Sequence, residues 1–200
     1  PRETVGADID AEALSGQARQ TVVADMRSLP FPDDEFPSVL SVQSLEHVPD
    51  PERVVAEAAR VVRDGGVVVF VTPNRLTFAR PDEIIDPYHH VEFSAGQLEE
   101  LCSRSFESVE MRGIFGSPRY LSLVAAERVK LDALLARDPL RLRRLVPRRG
   151  LQLLYDWRLT RERAQPADGA AEIEPGDFRL EASGLEASLD LVAVCRAPRV

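Results

Sequence analysis

The sequence predicts an α/β protein built on a doubly wound sheet. Short apolar runs alternate with helical patterns from residue 4 to about residue 112, which is the order of elements in such a fold. The run VVVFVT at 67–72 lacks polar alternation, as expected of a strand covered on both faces. Two hundred residues, of which 44% are hydrophobic and 29% charged, suffice for one domain with a buried core.

Each predicted element has a local signal. Short apolar runs predict strands at 4–10, 20–25, 38–44, 67–72, 108–113 and 189–196. Asp10 is placed to cap a helix over the residues that follow it, and Asp50 with Pro51 has the composition of a second helix start. The DGG sequence at 64–66 is expected to end that second helix.

In the second half of the chain, strand and helix patterns alternate less clearly. Ser94 and Gln97 have the three-residue offset of a capping box, which predicts a helix start. Residues 119–160 have a helical pattern, whereas 165–184 are rich in Ala, Gly, Glu and Asp and predict an irregular linker.

Composition excludes some classes of function. A net charge of -8 disfavours general binding to nucleic acid, because phosphate neutralisation needs a dense basic face. Cys102 and Cys195 lack metal-ligand spacing and are typical of reduced core residues in a cytoplasmic protein. No apolar run approaches the roughly 20 residues that span a bilayer, and no signal peptide is recognisable.

Polar residues follow four of the predicted strands where each strand ends. They are Asp8, then Asp25, then Gln43, Ser44, Glu46 and His47, and finally Thr72, Pro73 and Asn74. Doubly wound sheets bind ligands at the carboxyl ends of their strands, and an acid there can accept hydrogen bonds from a ribose diol. A second acid one strand over could accept from an adenine amino group. Either acid alone is equally well explained as a loop or cap residue, but the two together favour a nucleoside site.

Four stretches carry the most specific signal: VGADIDAEAL, VVADMRSLPFPDDEF, SLEHVPDPERVVAEAARVVRDGGVVVFVTPN and DPYHHVEFSAGQLEEL. In order and spacing, over about residues 4–115, they resemble the class I S-adenosylmethionine-dependent methyltransferases, most closely the group termed type 11. The resemblance implies a Rossmann-like sheet with helices on both faces and an antiparallel last strand, for which LDLVAVCR at 189–196 is the candidate. The helical pattern at 119–160 predicts a helical insertion before that strand.

The resemblance assigns roles at the strand ends. Asp8 matches the acid that holds the ribose hydroxyls, and Asp25 matches the acid near the adenine amino group. Met26 would offer a backbone N–H and an apolar contact to the adenine ring. Ser44 and Leu45 would line the methionine part of the cofactor.

Two features depart from the family pattern. The family's opening strand and glycine-rich turn are expected ahead of residue 1, so the sequence is expected to be a fragment that lacks the first strand and helix. Residues 1–200 are then expected to bind S-adenosylmethionine weakly or not at all. Pro37 stands where the family usually has an acid, and proline removes an N–H and restricts φ, so an altered entry to the strand at 38–44 is expected.

His47 and His89 are the catalytic candidates. His47 has three interpretations: a general base for the acceptor, a metal ligand, or a residue that merely lines the pocket. Quinone-modifying members of the family have a carboxylate where this chain has Gln43, so no metal is predicted. His89, in DPYHHVEF, could orient an acceptor, or it could simply close the loop onto Glu92.

The hypothesis is an S-adenosylmethionine-dependent methyltransferase acting on a small-molecule or glycan- or lipid-linked acceptor. The alternatives are a truncated, non-catalytic remnant and a nicotinamide-dependent oxidoreductase.

One domain is predicted, with a cofactor-binding core at 1–115, a substrate-side insertion at 116–184 and the last strand at 185–200. An arginine-rich amphipathic segment at 140–154 could contact a membrane surface. The acceptor's identity and the oligomeric state stay open.

Overall fold

The structure is a computed structural model that describes residues 4–78, 86–135 and 173–199, together with positions 147, 150 and 152. Its strands are β1 (Val5–Asp8), β2 (Gln20–Val23), β3 (Phe36–Val42), β4 (Val62–Pro73), β5 (Phe106–Gly116), β6 (Phe178–Glu181) and β7 (Asp190–Pro198). The helices are α1 (Pro51–Val61), α2 (Arg75–Phe78), α3 (Ala95–Ser103) and α4 (Pro118–Leu135). Short 3₁₀ turns occupy Leu45–His47, Pro175–Asp177 and Leu185–Ala187.

The described strands form two sheets. β1 and β2 pair in parallel, and the other five have the order β3-β4-β7-β5-β6. β3 is parallel to β4, whereas β7 runs antiparallel to both β4 and β5. The prediction of an antiparallel last strand is therefore confirmed. The register between β3 and β4 shifts where Phe36 pairs with Val62 and Ser38 pairs with Val67, so the extra residues, which include the DGG sequence at 64–66, lie on β4. The expected effect of Pro37 on the entry to β3 stays a prediction.

Two predicted elements differ from the structure. The residues after Asp10 form turns instead of a helix, because polar side chains bond to nearby backbone. Asp10 accepts from the backbone N–H of Glu12 at 2.8 Å, and the hydroxyl of Ser15 donates back to the carbonyl of Glu12 at 2.7 Å. The predicted linker at 165–184 contains β6, whose FRLE sequence alternates apolar and polar residues over only four positions and forms a strand by pairing with the edge of β5.

The helix boundaries follow the predicted signals closely. Helix α1 begins at Pro51, although the side chain of Asp50 makes no capping hydrogen bond. It ends at Val61, just before the DGG sequence, where a Cβ on Gly66 would lie 2.8 Å from the carbonyl oxygen of Arg63. The capping box at the start of α3 is confirmed, with the backbone N–H of Ser94 donating to Gln97 Oε1 at 3.0 Å.

The hydrophobic core lies on one face of the five-stranded sheet. Helices α1 and α3 pack there against alternate residues of β4 and β7, namely Val68, Phe70, Leu191, Ala193 and Cys195. Each large apolar side chain buried in this way contributes about 1.5–3 kcal/mol. The opposite face is less covered by the described residues, since Val69 is half-buried and Leu40 is 68% exposed.

Both cysteines lie in this core as free thiols, as the sequence predicts. They come from α3 and β7, and their mutual hydrogen bond together with burial raises the pKa of the Cys102 thiol. A thiol that stays protonated is a poor nucleophile. The pair is therefore part of the packing rather than of the chemistry.

The predicted helix at 119–160 is present as α4 up to Leu135. Most of the rest of it, including nearly all of the arginine-rich segment at 140–154, lies outside the described residues. No helix in the described part of the chain is long and apolar enough to cross a membrane. The division at residues 115 and 184 stays a prediction.

Candidate active site

Asp8 and Asp25 end neighbouring parallel strands and lie close together. The backbone N–H of Ala24, next to Asp25, donates to the carbonyl oxygen of Asp8 at 2.9 Å. The carboxylate of Asp8 is exposed, and its Oδ1 accepts from the N–H of Asp10 at 2.9 Å. This bond holds the side chain at the strand end, where it can accept hydrogen bonds from a ligand.

Asp25 is paired with Arg27, a partner that the sequence analysis missed. The guanidinium Nε lies 3.0 Å from Oδ1 and Nη2 lies 2.7 Å from Oδ2, while the backbone N–H of Arg27 also donates to Oδ1 at 2.9 Å. The side-chain and backbone hydrogen bonds from Arg27 lower the pKa of Asp25 to about 2. Both carboxylate oxygens are thus engaged within the chain, and an adenine amino group would share Asp25 with Arg27.

Arg27 also ties the end of β2 to the start of α1. Its Nη1 donates to Oδ1 of Asp50 at 2.9 Å, and this bond lowers the pKa of Asp50. Met26, beside it, is partly buried against the hydrophobic core. One arginine therefore joins Asp25, after the end of β2, to Asp50 at the start of α1.

The residues after β3 turn sharply at Gln43, which has a positive φ of 49°. Its side chain donates to Asp190 Oδ1 at 3.0 Å, and burial raises the pKa of Asp190. Ser44 is half-buried, and its hydroxyl donates to the carbonyl of Val42 at 2.9 Å. Leu45 is buried in the hydrophobic core, so a cofactor could contact its backbone but not its side chain.

Asn74 belongs to the scaffold rather than to an exposed rim. It is fully buried, and its Nδ2 donates to the carbonyl oxygens of Leu185 and Ser188 at 2.8 and 3.0 Å. Its Oδ1 accepts from the N–H of Leu76 at 3.1 Å. The amide thereby joins the end of β4 to the turn that precedes β7.

His47 and His89, separated by 42 positions in the sequence, meet at the end of β3. Their ring centroids are 5.0 Å apart, at 67° to one another. Glu46 completes the group, and one ligand atom from each of the three residues lies within 4.8 Å of the others. We refer to Glu46, His47 and His89 as the histidine cluster.

The loop that carries His89 is anchored on Glu46. The backbone N–H groups of His90 and Val91 point to the carbonyl oxygen of Glu46, at 2.7 and 3.3 Å. An isolated bridge pairs Asn74 with Phe93 and holds the end of the same loop beside β4. Because these contacts join distant segments, sequence spacing alone could not show that the two histidines are neighbours.

Each imidazole directs its Nδ1 toward an oxygen acceptor. Nδ1 of His89 lies 3.0 Å from Oε1 of Glu92, and Nδ1 of His47 lies 3.3 Å from the carbonyl oxygen of Tyr88. These acceptors favour a proton on each Nδ1 and a lone pair on each Nε2. His89 is buried, whereas the side chain of His47 is 41% exposed, so His47 is the member that a substrate can reach.

The acidic part of the cluster is buried and incompletely paired. Oε2 of Glu46 accepts from the hydroxyl of Thr72 at 2.9 Å, but Oε1 accepts no hydrogen bond from the described residues. Nε2 of His47 lies 3.9 Å from Oε1. Burial lowers the pKa of His89, but the bond to Glu92 and the charges of Asp86 and Glu46 outweigh it, so the net pKa is raised. The cluster can therefore hold a proton or another cation.

Comparison with solved structures identifies the fold. A Thermotoga maritima crystal structure, described as an S-adenosylmethionine-dependent methyltransferase and possible histamine N-methyltransferase, superposes with a TM-score of 0.59 at 17% identity. The match covers 96% of this chain and 72% of that one. The architecture is that of the Rossmann-like class I methyltransferases.

Sequence relatives identify the family. The Methyltransferase domain family matches residues 2–70. A probable S-adenosylmethionine-dependent methyltransferase of Mycobacterium tuberculosis is 30% identical over 214 residues, covering 98% of this chain and 70% of its own. The rice (Oryza sativa subsp. japonica) 2-methyl-6-phytyl-1,4-hydroquinone methyltransferase 2 is 30% identical over 118 residues, or 52% of this chain and 33% of that protein. The chain belongs to the S-adenosylmethionine-dependent methyltransferases.

Proposed function

We propose that the protein transfers the methyl group of S-adenosylmethionine to a hydroxyl oxygen of a small or lipid-linked acceptor with an apolar body. The observation that carries this proposal is the histidine cluster, in which a reachable imidazole stands beside a buried carboxylate. Such a pair suits an acceptor that must lose a proton as it is methylated. An amine acceptor, which is already nucleophilic when neutral, has less need of it.

The strand-end residues fit the cofactor. Asp8 presents an exposed carboxylate at the end of β1, as a ribose diol requires. Asp25 and Met26 would lie along the adenine, with Arg27 holding Asp25 in place, and the turn at Ser44 and Leu45 would border the methionine part. When bound, S-adenosylmethionine supplies the electrophilic methyl group.

The histidine cluster accepts the proton that the acceptor loses. His47 is exposed and its Nε2 carries the lone pair, so this nitrogen receives the proton of the acceptor hydroxyl. The positive charge that forms on the ring then lies 3.9 Å from Oε1 of Glu46. His89 and Glu92 pack behind it and limit the rotation of the His47 ring. The acceptor oxygen would then use its electron pair to form the new bond to the methyl carbon, while the sulfonium sulfur–methyl bond breaks and its electrons stay on the departing thioether sulfur.

Exposed apolar side chains beside the cluster favour an acceptor with an apolar part. Phe78 of α2 lies with its ring centroid 5.2 Å from that of His89, yet its side chain is 48% exposed. Leu76, in the same helix, is 53% exposed. The rice relative is named for a phytyl hydroquinone, which combines a ring hydroxyl with an apolar tail. The nicotinamide-dependent alternative is not proposed, because the relatives are methyltransferases.

The experiment uses radiolabelled S-adenosylmethionine from micromolar to millimolar concentration and three acceptors. These are a hydroquinone with a prenyl tail, the same hydroquinone without the tail, and an aliphatic amine of matched tail length. We expect labelled product in the order tailed hydroquinone, bare hydroquinone, amine. Label on the amine alone would refute the hydroxyl acceptor, and no label on any acceptor would favour the non-catalytic alternative.

A further inference from the structure

We propose that Gln43 and Asp190 bind a second hydroxyl group of the acceptor, apart from the hydroxyl that meets His47. The nature of the acceptor rests on the proposed function. Asp190 is the first residue of β7 and pairs with Pro73, the last residue of β4. Gln43 follows the end of β3. Both residues therefore lie at the carboxyl ends of the parallel strands β3 and β4, where doubly wound sheets bind their ligands.

The carboxylate of Asp190 is half-buried and incompletely paired. Its Oδ1 accepts the hydrogen bond from Nε2 of Gln43, whereas Oδ2 accepts none from the described residues. Gln43 is a neutral donor, and no ion pair with a described residue offsets the burial, which is why the pKa of Asp190 is raised. A polar group that loses water without gaining a partner costs free energy. A donor on a bound ligand would remove that cost.

The backbone at Gln43 is held in an unfavourable conformation. Its φ of 49° lies in the left-handed region, which residues other than glycine and asparagine seldom adopt. Two other strands hold it there, since its N–H donates to the carbonyl of Val71 at 2.8 Å and its side chain reaches Asp190. Such conformations cluster at functional sites. Gln43 is also exposed, so a ligand can reach its amide.

Asp190 and the histidine cluster flank the end of β4. Thr72 donates to Glu46 of the cluster, and the next residue, Pro73, pairs with Asp190. Successive residues of a strand project to opposite faces of the sheet, so the two groups stand on either side of the strand end. An acceptor that lies across this end can present one hydroxyl to His47 and another to Asp190.

The sheet face that carries Asp190 is apolar beside it. Within β7, Asp190 shares this face with Val192, which pairs with Val71 of β4, and Val71 pairs in turn with Val42 of β3. Val42 is 49% exposed and Val71 is half-buried. The body of an aromatic or prenylated acceptor can pack against these side chains while its hydroxyl reaches Asp190.

The two side chains select a hydrogen-bond donor and disfavour an anion. With Nε2 of Gln43 directed to Asp190, the oxygens that remain are Oε1 of Gln43 and Oδ2 of Asp190, and both are acceptors. A hydroxyl can donate to either oxygen, whereas the charge of Asp190 would repel a carboxylate or phosphate on the acceptor. Because losing a hydrogen bond to a charged group lowers affinity by about 10- to 100-fold, the second hydroxyl should govern the choice of acceptor.

The test measures acceptor binding and methyl transfer separately, in the absence of oxygen. The acceptors are a prenyl-tailed hydroquinone, the matched prenyl phenol that lacks the second hydroxyl, and an analogue with an aminomethyl group in place of that hydroxyl. Calorimetry gives the dissociation constants, and radiolabelled S-adenosylmethionine gives kcat/KM. We expect the wild type to prefer the hydroquinone over the phenol by about 10-fold or more in both measurements.

Asp190→Ala should abolish this preference and leave binding of the phenol unchanged. Gln43→Asn should reduce the preference in part, because asparagine tolerates the positive φ but is too short to hold Asp190. Glu186→Ala is the matched control, since Glu186 is an exposed acid in the turn before β7, and it should keep the preference. Thermal unfolding of Asp190→Ala should show no loss of stability, because the variant removes a half-buried, incompletely paired charge.

Equal affinities of the wild type for hydroquinone and phenol, or equal losses for both in Asp190→Ala, would overturn the site. Tightest binding of the aminomethyl analogue would overturn it as a hydroxyl site and indicate a site for a cation. A binding preference without methyl transfer to any acceptor would support the site and refute the proposed function. Methyl transfer without a preference would refute the site and leave the proposed function standing.

Discussion

Asp25 and Glu46, two of the acidic residues at the strand ends of this protein, differ in how completely their charges are paired. Asp25 lies at the surface, and one arginine satisfies both of its carboxylate oxygens while also binding Asp50. Glu46 is fully buried, yet one of its oxygens accepts no hydrogen bond from the described residues. A charge in contact with water costs less free energy than a buried one, yet it is the water-exposed acid, Asp25, that has the complete set of partners.

This contrast separates structural charges from functional ones. An ion pair completed within the chain positions a loop and needs no ligand, as Arg27 does for the end of β2. The carboxylate of Glu46 is buried with one hydrogen bond, from Thr72, and such an unfavourable arrangement is typical of a functional site. Four predictions test this distinction, in order of expected effect.

The largest effect is expected at the histidine cluster. His89→Gln should lower the rate of methyl transfer by about 100-fold or more, because it removes the imidazole that packs against His47. The radiolabel assay measures the rate, and His90→Gln should keep it. Equal losses in the two variants would mean that the loop as a whole, rather than the cluster, matters.

A second prediction compares a satisfied buried polar group with an unsatisfied one. Asn74→Ala should lower the free energy of unfolding by about 2–3 kcal/mol, since it removes the buried hydrogen bonds from Asn74 to the carbonyls of Leu185 and Ser188 and leaves the N–H of Leu76 without its acceptor. Glu46→Gln should leave it unchanged or raise it by about 1 kcal/mol, because it removes a buried, half-paired charge. Urea denaturation measures both. A large destabilisation by Glu46→Gln would show that the acid is structural.

A third prediction concerns the cofactor. Asp8→Asn should weaken S-adenosylmethionine binding by about 10-fold, the effect of losing one charged hydrogen bond. Asp25→Asn should weaken it less, because Arg27 already engages that carboxylate. Equilibrium dialysis up to millimolar cofactor measures the two dissociation constants, and the reverse order would show that Asp25 is the main contact.

The smallest effect is a pH dependence of stability. The pKa of Asp25 is about 2 in the folded chain, below its ordinary 3.8, so the contribution of the Arg27 pair is fully present above pH 4 and is lost as pH falls through 2. Asp25→Asn should therefore flatten the stability curve between pH 4 and pH 2. Identical acid curves for the variant and the wild type would mean that the pair does not contribute to folding.

Much of the fold could be predicted from local patterns. The strand at 67–72, the helix start at Pro51 and the capping box at Ser94 each depend on neighbouring residues, and each is confirmed. The helix after Asp10 was a wrong prediction, because short side-chain-to-backbone bonds there compete with helix formation. Strand β6 was missed, since its pairing with β5 is a contact between segments about 60 residues apart.

The candidate site also has features that local sequence patterns predict and features that depend on contacts between distant segments. The sequence by itself determined the family and the strand-end positions of Asp8, Asp25 and His47, because a parallel sheet places the ends of successive strands at one edge. Only the tertiary structure decided that Arg27 neutralises Asp25, that Asn74 is part of the scaffold, and that His89 meets His47 over a buried Glu46. Pairing, burial and desolvation are properties of what packs around a side chain, and those neighbours come from segments that no local pattern connects.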